Sequence, residues 1–153
     1  MFLDRLDKAI LNQLQVDSSV SNLKLAEVIG LSAPACLKRV KRLEKEGVIS
    51  KRVAILNQSK IAPNIHMITE IIMHCDRLDL NDAFIKKMRA ATEVQECYKV
   101  TGEVDFVLVV SVPDMPSYES FCQRAIYSDS NLKKFRTLIS IDRVKYETQI
   151  QIP

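Results

Sequence analysis

Tryptophan is absent from the 153-residue sequence, glycine occurs three times and histidine twice. So little glycine excludes a fibrous or low-complexity chain. No apolar run approaches the roughly 18 residues of a membrane-spanning helix. The first residues, Met1-Phe2-Leu3-Asp4-Arg5-Leu6-Asp7, lack the basic flank and apolar core of a signal peptide. These absences predict a cytoplasmic protein with no membrane partner. The four cysteines, Cys36, Cys75, Cys97 and Cys122, form no C-x-x-C pair, and each lies in an apolar stretch. They read as reduced thiols acting as small hydrophobes. A metal site on His74 and Cys75 is the alternative, but adjacent strand residues point to opposite faces. His66 has no partner nearby in sequence and is expected as a partly exposed strand residue. With no nucleophile–base pairing, metal cluster or phosphate loop, the sequence predicts no catalytic residue, no metal and no cofactor.

Charge, by contrast, is unevenly placed. Residues 1–60 carry eleven Lys/Arg against six Asp/Glu, and residues 61–153 carry eleven against thirteen. The basic excess concentrates at residues 38–52, in Lys38, Arg39, Lys41, Arg42, Lys45, Lys51 and Arg52. A basic half joined to a mildly acidic one suggests that the first half meets a polyanion.

The first half has helical periodicity. Leu3, Leu6, Ile10, Leu11 and Leu14 recur at helical spacing, with Asp4 as N-cap and Asp7 in the first turn. After the polar Val16-Asp17-Ser18-Ser19, a second helix starts near Ser21 or Asn22, buries Leu25, Ala26 and Ile29, and stops at Gly30. Ser32 caps a third helix, Pro34 is tolerated in its first turn, and Cys36, Val40 and Leu43 form its buried stripe. Gly47 ends it, and Val48-Ile49 begins a short extended segment. Small Ala26 at the crossing, Gly30 at the bend and Leu31 with Cys36 between the helices are the properties that a helix-turn-helix needs. Residues 51–63 look like an edge strand and a linker.

The second half changes period. Residues 65–75 read as a strand, 79–91 as a helix, and 94–101 and 104–112 as two strands joined by a tight hairpin at Gly102-Glu103. A helix follows over 115–127, with Met115, Tyr118, Phe121, Cys122, Ala125 and Ile126 on its apolar face, and a last strand covers about 135–147. The order β-α-β-β-α-β is the ferredoxin-like unit. Each half is small for an independent core, so oligomerisation would help to stabilise both.

Several segments match a known pattern. They are Leu3-Asp4-Arg5-Leu6-Asp7, Ile10-Leu11, Leu25-Ala26, Gly30-Leu31-Ser32, Cys36-Leu37-Lys38-Arg39-Val40, Arg42-Leu43-Glu44 and Glu46-Gly47-Val48-Ile49. In this region the chain resembles the DNA-binding domain of the leucine-responsive regulatory protein and asparagine regulator (Lrp/AsnC) family. Val94-Gln95-Glu96-Cys97, Val100-Thr101-Gly102-Glu103-Val104-Asp105-Phe106 and Val112-Pro113-Asp114-Met115 resemble its effector domain. Two departures are Ala62-Pro63-Asn64 where the family often has Gly, and Tyr127-Ser128-Asp129-Ser130-Asn131, which lacks the usual Pro-Gly. The expected fold is α+β: a winged helix-turn-helix domain over 1–50, a strand and linker over 51–63, and a ferredoxin-like ligand-binding and oligomerisation domain over 64–153. The function implied is a transcription regulator modulated by a small effector, an amino acid being the class that the resemblance implies.

The third helix is the expected reader of double-stranded DNA. Ala35, Lys38, Arg39 and Arg42 are expected to face out, with Ser32, Ala33 and Pro34 at the tip that enters the major groove. Arg39 suits a bidentate contact to guanine, and Lys38 or Arg42 a phosphate. Lys51 and Arg52 either touch the DNA backbone or serve as a charged edge that discourages aggregation. The Thr101-Gly102-Glu103-Val104-Asp105 hairpin is the expected effector site. Gly102 lets amides approach a carboxylate, and Asp105 accepts from an ammonium; the other reading is a structural hairpin in which Asp105 caps its own turn. Met115, Leu138, Ile139 and Ser140 are candidates for the side-chain pocket. Paired half-sites require a dimer, expected through residues 65–147. The resemblance implies an octamer of four dimers, with effectors bound where dimers meet. The rival is a stand-alone amino-acid-binding or interaction module without specific DNA binding, against which the basic face of the third helix argues.

Overall fold

The computed structural model describes residues 2–153, Ser59 by its backbone alone. The chain forms two compact units. One holds the chain through Leu56 together with Lys145–Pro153, the other Asn57–Val144.

The first unit contains α1 (Arg5–Val16), α2 (Asn22–Ile29) and α3 (Ala33–Lys45). Local chemistry marks each end. The Asp4 side chain accepts the Asp7 N–H at 2.8 Å and the Asp7 side chain accepts the Asp4 N–H at 3.2 Å, a reciprocal cap that satisfies two orphan donors of α1. Ser21 accepts from the Lys24 N–H at the start of α2. Gly30 then turns left-handed, with φ 76°, so that the Leu31 N–H reaches the Ala26 carbonyl at 2.9 Å and the chain re-enters a helix within three residues. Ser32 stands at the N-cap of α3 without a side-chain hydrogen bond, which leaves that helix start uncapped. Ile10, Leu14, Leu25, Ala26, Cys36, Val40 and Leu43 form the buried core.

Two features differ from expectation. Residues 50–57 contain neither helix nor strand, because an extended segment needs a hydrogen-bonded neighbour and this one has none in its unit. A short 3-10 turn, Gln58–Lys60, follows. Residues 145–153, expected with the second domain, group with the first. There the Gln15 side-chain amide donates to the Ile150 carbonyl and its oxygen accepts the Ile150 N–H, both at 3.0 Å.

In the second unit, β1 (Ile65–Met73), α4 (Leu78–Ala90), β2 (Val94–Lys99), β3 (Phe106–Val112), α5 (Met115–Phe121) and β4 (Leu132–Ile139) follow the expected order. α5 continues as a π-helical segment, Cys122–Tyr127. The sheet order is β2-β3-β1-β4, all antiparallel. Alternation sorts its faces. Met67, Ile71, Phe106, Leu108 and Val110 point to the helices and are fully buried with Phe84 and Phe121. Ile68, Glu70, Val107, Val109 and Leu138 occupy the other face, which no α-helix among the described residues covers; the 3-10 turn touches its Ile65 end, where Gln58 bonds to His66 and Ser111. Tyr118 bridges the layers: its hydroxyl lies 2.8 Å from Thr69 Oγ1 and 2.5 Å from Thr137 Oγ1, and burial pushes its pKa up to about 12.

Three boundaries moved. β4 begins at Leu132, opposite Met73, and ends at Ile139 opposite Met67, because β1 offers almost nothing beyond. The tight hairpin is a six-residue connection, 100–105, because the Asp105 N–H bonds to the Ile71 carbonyl of β1 at 2.8 Å. Met115, placed on the buried face of its helix, is 46% exposed at the helix start. Of the thiols, Cys36 and Cys122 are buried as expected and Cys75 is exposed.

Candidate nucleic-acid interface and effector site

With Cys36, Val40 and Leu43 turned inward, helical phase places Pro34, Leu37, Lys38, Lys41 and Lys45 on the solvent side of α3. Lys38, Lys41 and Lys45 have no ion-pair partner among the described residues. They form a row of cations running back from an uncapped helix start, at which Ser32 and Pro34 are exposed and Ala33 and Ala35 half-buried. Asn22 Nδ2 donates to the Ala33 carbonyl at 2.8 Å and ties the start of α2 to that tip. Lys51 is exposed and has no ion-pair partner among the described residues, whereas Arg52 is held by Glu44 at 2.9 Å.

The arginines of α3 behave differently from its lysines. Arg39 lies only about 60° around the helix from buried Cys36, so the expectation that it stands free on the outer face is corrected. Its Nη1 donates to Asp4 Oδ2 at 2.7 Å and to Asp7 Oδ1 at 2.9 Å, and Arg42 Nη2 donates to Asp7 Oδ2. The side chain of Asp7 is 1% exposed and that of Arg39 27%. The Asp7 N–H, and after it Arg39, hold the Asp4 carboxyl below its usual range, while Asp4 and then Asp7 raise Arg39. From local sequence Asp4 and Asp7 are expected only as the cap of α1. Lys41 and Lys45 join the outer row beyond the expected contact residues, and their phase follows from Val40 and Leu43.

In the second unit, Thr101, Gly102 and Glu103 form an exposed tip with Gly102 at φ 124°, and Val104 and Asp105 are half-buried. Asp105 anchors the tip. Its carbonyl accepts the Val100 N–H, its own N–H goes to Ile71, and its Oδ2 accepts the Met73 N–H at 2.7 Å beside the bulge at Ile72/Met73. That satisfies a ladder donor which the bulge leaves unpaired. One carboxylate oxygen is thereby engaged, and Oδ1 makes no hydrogen bond within the described residues.

The pocket candidates lie elsewhere. Ser140 donates its N–H to the His66 carbonyl, Ile139 pairs with Met67, and Met115 follows β3, whose last residue Val112 pairs with Ile65. They gather at the Ile65 end of β1, and the 101–105 tip at the Met73 end, about 20 Å along the strand. Leu138 faces the open side of the sheet, opposite Ile68. One subunit therefore does not bring its own Thr101–Asp105 tip together with Met115, Leu138, Ile139 and Ser140.

Comparison with known proteins decides the family. A model described as the Lrp/AsnC ligand binding domain matches residues 67–150, and one described as winged helix-turn-helix DNA-binding matches residues 3–50. The chain belongs to the Lrp/AsnC family. It is a DNA-binding transcription regulator with a ligand-binding domain, not an enzyme. An HTH-type transcriptional regulator of Sinorhizobium fredii is 39% identical over 95% of this chain and 86% of that protein. The leucine-responsive regulatory protein of Escherichia coli is 33% identical over 98% and 92%. Among solved structures, an AsnC family regulator from Agrobacterium tumefaciens has a TM-score of 0.88 at 32% identity, covering 97% of this chain and 96% of its own. A Neisseria meningitidis regulator solved as a complex with L-Met also has a TM-score of 0.88, at 25% identity and coverages of 98% and 97%. Burial raises the pKa of the Cys36, Cys97 and Cys122 thiols and disfavours their thiolates. No helix among the described residues is long and apolar enough to cross a membrane.

Proposed function

We propose that this regulator binds specific double-stranded DNA in the cytoplasm through α3, and that an amino acid bound between subunits of its C-terminal domain modulates that binding. The observation that carries the DNA part is the row of unpaired lysines behind the uncapped start of α3. The Ser32–Ala35 tip enters the major groove, where the backbone amides of Ala33 and Ala35 meet a phosphate or base edge. Lys38, with Lys51 behind it, neutralises phosphates. Arg39 keeps Nε and Nη2, which Asp4 and Asp7 do not engage, for a base. Arg42 and Arg52, each held by a carboxylate, flank the contact. The test is DNA affinity of the full chain across a salt series. Lys38→Ala should weaken binding to every sequence and flatten the plot of log K against log salt by about 0.9. An unchanged slope removes α3 as the phosphate-contacting helix.

The effector part rests on the exposed 101–105 tip, where turn amides suit a carboxylate and Asp105 Oδ1 suits an ammonium. Because the pocket candidates lie at the far end of the sheet, a second subunit supplies the rest of the site. The Neisseria regulator's complex with L-Met supports an amino acid as the class. Dimers form through the open sheet face, where Ile68 and Leu138 are 40% and 45% exposed, and four dimers assemble into an octamer. A thermal-shift screen of the twenty amino acids tests the effector. A ligand that binds only the folded chain at about 100 times its Kd adds about 2.7 kcal/mol. No shift with any of them contradicts an amino-acid effector.

A further inference from the structure

The two acids at the head of α1 do more than cap it. Asp4 and Asp7 carry two negative charges and contact two of the five cations of α3's basic stretch, Arg39 and Arg42, while Lys38, Lys41 and Lys45 have no ion-pair partner among the described residues. The pairing is selective by geometry. The arginines lie on the shoulder of α3 that turns toward α1, and the lysines lie opposite. Asp7 is buried and accepts from both guanidiniums as well as from the Asp4 N–H, so its acceptor positions are committed. Asp4 is the outer member, with its side chain 42% exposed.

We propose that Asp4 is a specificity-determining residue: it withholds the Arg39 charge from DNA phosphates and fixes the guanidinium with Nε and Nη2 outward. The proposal rests on α3 being the DNA-binding helix. Non-specific affinity grows with the number of phosphates neutralised by cations. A guanidinium already neutralised by a carboxylate at 2.7 Å displaces no counterion from DNA. Base recognition, by contrast, needs directed donors in a fixed position, and two carboxylates on Nη1 supply that fixation in advance. Withholding Arg39 from phosphates therefore lowers the non-specific background while keeping a positioned donor pair for a base edge. Lys38, Lys41 and Lys45 carry the non-specific attraction.

Asparagine at position 4 makes the test clean, because Asn caps a helix as well as Asp does, while the charge and the acceptor for Arg39 are both lost. The experiment measures binding of the full chain to a duplex of scrambled sequence between 0.05 and 0.3 M salt (about a sixfold range, over which log K falls linearly with log salt). Asp4→Asn should bind the scrambled duplex several-fold more tightly at the low-salt end, with the slope steeper by up to about 0.9. Adding Arg39→Ala to Asp4→Asn should remove that gain, because the released charge is that of Arg39. A wild-type slope in Asp4→Asn overturns the proposal. So does a gain that survives loss of Arg39, since it would then come from general charge near the DNA. Lys38→Ala in the same series separates the two claims. If it flattens the slope while Asp4→Asn changes nothing, α3 remains the DNA helix and only the role of Asp4 is lost.

Discussion

The solvent side of α3 and the open face of the sheet both lack a partner, but they lack it in different currencies of force. α3 presents Lys38, Lys41 and Lys45, none of them paired among the described residues. The sheet presents Ile68, Val107, Val109 and Leu138; Glu70 and Arg136 among its charges satisfy each other at 2.6 Å, and Lys134 and Glu96 stand on its edge strands. A row of uncompensated cations attracts a polyanion over a Debye length of about 10 Å at 0.1 M salt and loses that attraction as salt rises. An apolar face attracts another apolar face at contact, with little salt dependence. The two surfaces therefore call for different partners, and salt separates them: it should release DNA while leaving subunit association intact.

The strongest way to break this comparison is to charge the apolar face. Burying Ile68 and Leu138 contributes about 1.5–3 kcal/mol each, and a carboxylate there adds a desolvation penalty. Ile68→Asp with Leu138→Asp should raise the dimer dissociation constant by more than about a hundredfold, read by sedimentation velocity at fixed salt. A double variant that stays dimeric places the subunit interface elsewhere. On the charged side, Asp7→Ala should lower the stability of the first unit by about 2 kcal/mol. Breaking a buried pair costs about 3–5 kcal/mol, less here because Arg39 and Arg42 are 27% and 43% exposed and can turn to water. Thermal unfolding reads it, and a loss under about 0.5 kcal/mol, the range of ordinary surface changes, would show that the cluster contributes nothing to the fold.

These variants also mark where sequence reading reaches its limit. Helix ends were legible because their chemistry is local: Asp4, Ser21, Gly30 and Gly47 each act within five residues. The strands β1 and β3 were legible for the same reason. Whether residues 50–57 form a strand was not, since a strand exists only with a neighbour and none lies in its unit. The orientation of Arg39 is not legible locally because its side chain answers to acids more than thirty positions earlier. The place of Asp105 after Gly102 suggests a ligand contact or a cap of its own turn; its bond to the Met73 N–H depends on a bulge that no local pattern announces. The candidate effector residues are expected in a site between subunits, and the register of β1 with β3 and β4, which sets those of one subunit at opposite ends of a sheet, is not legible in local sequence.

Asp105 sharpens the comparison from outside both surfaces, because its engaged and unengaged oxygens do different jobs. Asn at this position keeps an acceptor for the Met73 N–H and removes the charge that an ammonium would meet. Asp105→Asn should weaken effector binding by about tenfold, equivalent to about 1.4 kcal/mol, with effector-free DNA binding intact. Calorimetric titration measures the first and fluorescence anisotropy the second. Wild-type affinity for the effector would make Asp105 a structural anchor of the tip and nothing else.

The smallest expected effect concerns pH, and it falls on the apolar face alone. His66 sits in β1 opposite Ser111, with Nε2 2.9 Å from Gln58 Oε1 and its backbone carbonyl accepting the Ser140 N–H. Burial first, and then the nearby Arg143 charge, lower its pKa below the usual 6.5. The folded chain thus prefers the neutral ring, and the unfolded chain binds the proton more readily. Stability from this residue is complete above pH 6.5 and is lost as pH falls through 6.5 toward the folded value. Covering the face in a dimer buries the ring further and pushes in the same direction. Mild acidification from pH 7.5 to 5.5 should therefore loosen the proposed dimer slightly. His66→Gln cannot titrate and keeps a hydrogen-bonding side chain, so its dimer should show a flatter pH response by sedimentation at constant salt. An equally steep response in His66→Gln would assign the pH sensitivity to another group and leave the open face indifferent to protons.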